Sequence, residues 1–108
     1  MTGLMFMRFL EIWGYLKMND IHEICVGDIV KHFKRQYVED KNSNLYLYKI
    51  IGTATDTTNE QDVVVYQSLE NGKLYTRELN EFLSYVDKNK YPDIDQIYRF
   101  ERFDGDDT

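Results

Sequence analysis

The chain has 108 residues, with 13 basic and 19 acidic side chains and a net charge of −6. That length holds one hydrophobic core and excludes two independent domains. The negative charge removes long-range attraction for nucleic acid or an anionic bilayer. One Pro, six Gly and 43% hydrophobic residues exclude a disordered or collagen-like chain.

Residues 1–26 are expected to form an N-terminal arm or helix. Phe6, Phe9, Leu10 and Trp13 follow helical spacing, and such a stripe would pack on the domain or build a homodimer through a second copy. Arg8 and Glu11 interrupt the apolar run from residue 4 to 16, which is too short for a bilayer span of about 20 residues. It also lacks a basic lead and a small-residue cleavage site, so neither a membrane anchor nor a signal peptide is expected. Cys25 is the single cysteine; it allows no internal disulfide and fits a cytoplasmic location. One Cys and two His give no zinc spacing, and no metal or cofactor is expected.

From Gly27 the periodicity changes to two. Residues 28–33 read as a strand entered through a Gly-Asp turn, and residues 35–44 as a polar loop. Residues 45–53 place Leu45, Leu47 and Ile51 on one face and Tyr46, Tyr48 and Ile50 on the other, a pattern for a central strand covered on both sides. After a polar loop at 55–61, residues 62–69 alternate Val63, Val65 and Leu69 with Val64, Tyr66 and Ser68. Asn71-Gly72 is the preferred pair of a type I′ turn, returning through a strand at 74–77. Leu79, Phe82, Leu83 and Val86 suit a short helix, Tyr91-Pro92 breaks the chain, and residues 97–103 form a last strand before an acidic tail at 104–108. The expectation is a mostly β (α+β) domain at 27–103. It would be a small SH3-like antiparallel barrel, or a strongly curved sheet, of about five strands with a short C-terminal helix.

These segments resemble a bacterial family of unknown function, DUF1653. The resemblance rests on Gly27, His32-Phe33-Lys34, Tyr46 to Ile50, Ala54, Val64-Val65-Tyr66 with Leu69, Tyr75-Thr76-Arg77, Phe82 and Arg99-Phe100. The chain departs from the family at Asp56 and Thr58, where a His and a Glu are usual, and at Glu78, where a Pro is usual. The resemblance implies a small β-rich domain and no particular reaction.

Four constellations carry chemistry. His22, Cys25 and His32 could supply a thiol-imidazole pair, but nothing supplies the orienting third group; a packed thiol is the plainer explanation. His32, Phe33, Lys34, Arg35 and Tyr37 interleave cations with rings, as in surfaces that stack bases. However, residues 28–50 hold only five cations against three acids, too few for more than weak nucleic-acid binding. Asp56, Glu60, Asp62, Glu78 and Glu81 could gather for acid-base work, although their spacing fits no calcium loop. Arg77, between Tyr75 and Leu79, either offers a fork to a carboxylate or phosphate or pairs with Asp56, Glu60 or Asp62.

The leading expectation is a non-enzymatic binding or adaptor module whose surface at His32, Lys34, Tyr48, Tyr66, Tyr75 and Arg77 receives a ligand or a protein segment. The alternatives are a small hydrolase or nucleotide-processing enzyme using His32 with the loop carboxylates, and a weak nucleic-acid-binding module.

Overall fold

The computed structural model describes residues 15–16 and 24–105. The expected arm helix, with Phe6 to Trp13 and the homodimer built on it, lies outside the described residues, as does His22. Strand β1 (Tyr15–Leu16) pairs antiparallel with β2 (Ile24–Cys25). Ile24 is fully buried and belongs to the main core.

A four-residue turn follows: the Asp28 N–H reaches the Cys25 carbonyl at 3.0 Å, and Asp28 Oδ2 accepts the Cys25 N–H at 2.8 Å. Gly27 sits at φ +93° in this turn, where a side chain would be strained.

Strand β3 (Ile29–His32) leads into a 3-10 helix, Phe33–Tyr37, and the long strands β4 (Leu47–Asp56) and β5 (Gln61–Ser68) form the central hairpin. Strand β6 (Leu74–Glu78) runs into the short helix α1 (Leu79–Phe82), and β7 (Phe100–Arg102) closes the order. All neighbours are antiparallel, in the spatial order β6-β5-β4-β3-β7. β4 is the central strand, but it is not covered on both sides as expected: Ile50 is buried on the α1 side, while Lys49 and Ile51 on the other face are exposed.

The sheet is open rather than a closed barrel. Closure would require β6 to pair with β7, but residues 79–99 pass between these edges as α1 and an irregular excursion over one face. The Tyr85↔Tyr98 bridge closes the base of this excursion. Its tip docks on the 3-10 helix, where Gln36 Nε2 donates to the Asp93 carbonyl (2.9 Å) and the Asp95 N–H donates to Gln36 Oε1 (2.8 Å). Lys88 Nζ donates to the carbonyls of Ile94 and Gln96. Gln96 Nε2 reaches the carbonyls of Lys31 (3.1 Å) and Tyr98 (2.9 Å), joining the excursion to β3.

Registered pairs share a face. His32↔Phe100, Ile50↔Tyr66, Tyr66↔Tyr75 and Val64↔Arg77 therefore place these residues on the side covered by α1. Val30, Ile50, Val64, Tyr66, Phe82 and Phe100 are buried together there, with Phe82 and Phe100 stacked 4.1 Å apart and 7° from parallel. A second cluster of Phe33, Val86 and Ile94, flanked by Tyr91, fixes the excursion to the 3-10 helix.

Three local expectations change. The register shifts between Ile50 and Gly52, so Ile51 is a bulge residue, and it is exposed with Leu45 and Lys49 on the face away from α1. The polar loop at 35–44 begins as the 3-10 helix, and its Arg35 is buried to 2% exposure. The β5–β6 hairpin forms, but its turn is not type I′, because Gly72 has positive φ (+76°) and Asn71 does not. A four-residue loop is closed instead by Gly72 N–H to the Ser68 carbonyl at 2.9 Å. Ser68 Oγ accepts the N–H groups of Glu70 and Asn71, an arrangement that competes with the two-residue turn.

Candidate functional site

The site begins at the end of β3. His32 caps the 3-10 helix: its Nδ1 accepts the Lys34 N–H at 3.0 Å. An imidazole accepting at Nδ1 carries its proton on Nε2 when neutral. The ring is wedged between Phe33 (centroids 4.3 Å apart), Phe100 (5.2 Å, edge-on) and Tyr46 (5.5 Å, stacked). Tyr46 pays for its place with a left-handed backbone, φ +64°, and its carbonyl accepts the His32 N–H at 3.0 Å.

A cavity of about 320 Å³ opens beside this ring, lined by His32, Phe33, Lys34, Arg77, Asp87, Lys90, Tyr91 and Arg99. Three pieces of chain supply it. β3 with the 3-10 helix gives His32, Phe33 and Lys34; β6 gives Arg77; the excursion gives Asp87, Lys90, Tyr91 and Arg99.

Four cations thus meet one carboxylate in a chain that is acidic overall. Arg77 alone of the four is ion-paired, with Nη1 2.9 Å from Glu81 Oε2. Lys34, Lys90 and Arg99 have no carboxylate partner among the described residues; Arg99 Nε donates to Ser84 Oγ at 3.2 Å. Lys34 and Lys90 place their ammonium groups 5.7 and 5.5 Å from the Tyr91 ring centre. Asp87 is engaged locally, its Oδ1 accepting the N–H groups of Asn89 (3.0 Å) and Lys90 (3.3 Å).

These charges act on His32. Burial, then the charges of Arg77, Arg99 and Lys34, push its pKa down to about 3. The ring is neutral at physiological pH, and its Nε2–H has no partner among the described residues.

The six expected site residues share one region but not one role. His32, Lys34 and Arg77 line the cavity. Tyr48, Tyr66 and Tyr75 form an adjoining aromatic cluster, with Tyr48–Tyr66 centroids at 5.2 Å and Tyr66–Tyr75 at 5.9 Å. Tyr66 is buried, and its hydroxyl accepts Arg77 Nε at 3.3 Å. Burial, reinforced by the neighbouring phenols, pushes the Tyr48 hydroxyl up to about 12. Asp87, Lys90, Tyr91 and Arg99 were not singled out by spacing, since no period relates the excursion to β3.

The other constellations do not assemble on His32. The hairpin loop bearing Asp56, Glu60 and Asp62 lies at the far end of β4 from Tyr46, the residue bonded to His32. Ten residues of strand separate them, roughly 30 Å. Arg77 accordingly pairs with Glu81 rather than with that loop. Glu78 caps α1, accepting the N–H groups of Asn80 and Glu81. Among the described residues no three His, Cys, Asp or Glu side chains converge as metal ligands, and no helix is long and apolar enough to cross a membrane.

Sheet order and cavity together define a class: a small β-rich domain whose open five-stranded sheet carries a cationic cavity at one end. Residues 28–103 match the family described as Protein of unknown function (DUF1653), and the chain belongs to that family. No curated protein and no solved structure matches it.

Proposed function

We propose that the protein is a non-enzymatic recognition module whose cavity receives an anionic group, carried by a small ligand or by a segment of a partner protein. One observation carries this reading: Lys34, Lys90 and Arg99 converge on a cavity without carboxylate partners among the described residues, in a chain with surplus acid. Uncompensated cations repel one another, and an anion seated among them removes that repulsion. His32, held neutral, adds a donor rather than a titrating base. A general acid or base works best with a pKa near the operating pH, which this imidazole is far from. Nucleic-acid binding is less favoured, because the cations gather in one concavity rather than along a stripe that could follow a backbone. The Gly27-Asp28-Ile29-Val30 opening is similar to the first strand of SH3-like barrels, a fold-level analogy consistent with recognition. The lone cysteine favours a cytoplasmic setting.

Titration of isotope-labelled protein with inorganic phosphate and with citrate tests the reading. Saturable amide shifts are expected at Lys34, Arg77, Lys90 and Arg99. Shifts spread over the surface, or absent from these residues, would overturn it.

A further inference from the structure

We propose that the cavity is selective for a phosphomonoester dianion over a carboxylate. The inference rests on the anion-binding reading and names the chemistry of its ligand.

Charge is the first ground. With His32 neutral, four cations face one carboxylate, and Asp87 has its Oδ1 turned to the local backbone. Arg77 is ion-paired with Glu81, so Lys34, Lys90 and Arg99 against Asp87 leave a surplus of two positive charges, which a dianion balances and a monoanion does not. Donor geometry is the second. Arg77 from β6 and Arg99 from the excursion bring guanidinium groups to the lining, Arg77 with Nε on the Tyr66 hydroxyl and Nη1 on Glu81 and Arg99 with Nε on Ser84 Oγ, while Lys34 and Lys90 bring point charges. A tetrahedral phosphoryl group has three oxygens to share among such donors, whereas a planar carboxylate has two on one edge.

The third ground is His32, more than nine-tenths buried. The charged and titratable groups that line the cavity with it are Lys34 from the 3-10 helix, Arg77 from β6, paired with Glu81, and Asp87, Lys90, Tyr91 and Arg99 from the excursion; Tyr46, ahead of β4, stacks on the ring. Its Nδ1 is held by the Lys34 N–H, leaving Nε2–H as a donor that does not change with pH across the neutral range. The ligand's own second ionisation, near pH 6 for a phosphomonoester, should therefore control the affinity. At about 320 Å³ the cavity is at the small end of ligand sites, enough for a phosphoryl group and a modest body.

The test is a titration of the full chain with phenyl phosphate and with benzoate at pH 5.5 and 7.5, read by amide shifts. Phenyl phosphate should bind about fourfold more tightly at pH 7.5, following its conversion to the dianion. Benzoate should be at least tenfold weaker at pH 7.5 and unchanged between the two. Affinity for phenyl phosphate that falls as pH rises, as a titrating imidazole would cause, overturns the proposal. Benzoate binding as tightly also overturns it but leaves the anion-binding reading intact; no shifts with either ligand sink both. Adenosine monophosphate and a phosphoserine peptide then separate a free metabolite from a modified side chain. Tighter binding of either supports the phosphomonoester class and names the source, and exclusion of both overturns it. A Lys34→Gln, Arg99→Gln double variant should keep its amide spectrum and lose more than tenfold in phenyl phosphate affinity.

Discussion

His32 Nδ1 accepts the Lys34 N–H at 3.0 Å, and this bond both caps the 3-10 helix and fixes the tautomer of an imidazole facing three cations. To protonate the ring, the protein must break that cap and place a positive charge beside Arg77, Arg99 and Lys34. The folded pKa, about 3, therefore lies below the ordinary 6.5. Below pH 6.5 the unfolded chain binds a proton that the folded chain refuses. Stability is lost as pH falls from about 6.5 toward about 3, by up to about 1.4 kcal/mol per pH unit. Chemical denaturation of wild type and His32→Phe at several pH values checks this. The variant should be about 1 kcal/mol less stable at pH 7, having lost the Lys34 acceptor. Its stability should fall less steeply on acidification, the carboxylates titrating alike in both proteins.

Arg99 bears on the same ring from the excursion. Replacing it by Gln removes one of the charges that depress the His32 pKa and retains a polar group near Ser84 Oγ. The His32 pKa, followed by imidazole NMR, should rise. Stability at pH 7 should stay within about 0.5 kcal/mol of wild type, because Arg99 has no carboxylate partner among the described residues. A pKa that stays in place would mean that Arg99 does not act on the ring, leaving burial, Arg77 and Lys34 to set it.

Much of the sheet is legible in the sequence, since period-two segments bound the strands and the longest of them, β4, is the central one, although only its α1 side is well covered. Tyr66, Tyr75 and Arg77 come together because hairpin register makes them neighbours, and the Asn71-Gly72 pair locates that hairpin. Elsewhere, long-range packing overrides the local signal. The bulge at Ile51 cannot be seen in a strand read as strictly alternating, and Ser68 Oγ changes the turn that Asn71-Gly72 would make alone. Half of the cavity comes from Asp87, Lys90, Tyr91 and Arg99; residues 87–96 have no helical or strand period, and the strand expected over 97–103 forms only at Phe100–Arg102, leaving Arg99 in the excursion. Their position is set by the docking of Asp93 and Asp95 on Gln36 and of Gln96 on Lys31. Spacing alone therefore does not mark Lys90 as a lining residue, and Arg99 is marked only as part of the last strand.

The two hairpins share one turn geometry and differ in how well the sequence suits it. The Glu60 N–H bonds the Asp56 carbonyl at 2.6 Å, as the Gly72 N–H bonds Ser68 at 2.9 Å, and both residues are left-handed, at φ +59° and +76°. Gly occupies that region freely; Glu does so at a cost of about 1 kcal/mol. Glu60→Gly should therefore stabilise the protein by roughly 0.5 to 1 kcal/mol, and Gly72→Ala should destabilise it by about 1 kcal/mol. Thermal unfolding of the two variants should show opposite shifts, and equal effects would sink the argument.

Arg35 carries the largest expected loss. It is 2% exposed, and its guanidinium donates to three loop carbonyls: Nη1 to Ser43 (2.7 Å) and Leu45 (2.8 Å), and Nη2 to Lys41 (2.9 Å). Its own carbonyl accepts Lys41 Nζ at 2.9 Å, and the Phe103 ring lies 5.9 Å from its Cζ. A planar fork can serve several carbonyls at once from separate nitrogens, while an ammonium donates from one point and cannot span them. Arg35→Ala strands those carbonyls and opens space against Phe103, so a loss of about 3 kcal/mol is expected from charge-assisted bonds and packing together. Arg35→Lys keeps the charge but should still lose about 1 to 2 kcal/mol. Because the loop at 41–45 leads into Tyr46, whose ring stacks on His32, the Lys variant should also shift the Tyr46 and His32 resonances while leaving those of the distant turn at 57–60 in place. Hydrogen exchange at residues 41–47 should accelerate in both variants, and slow exchange there in Arg35→Ala would show that the loop holds its shape without the guanidinium.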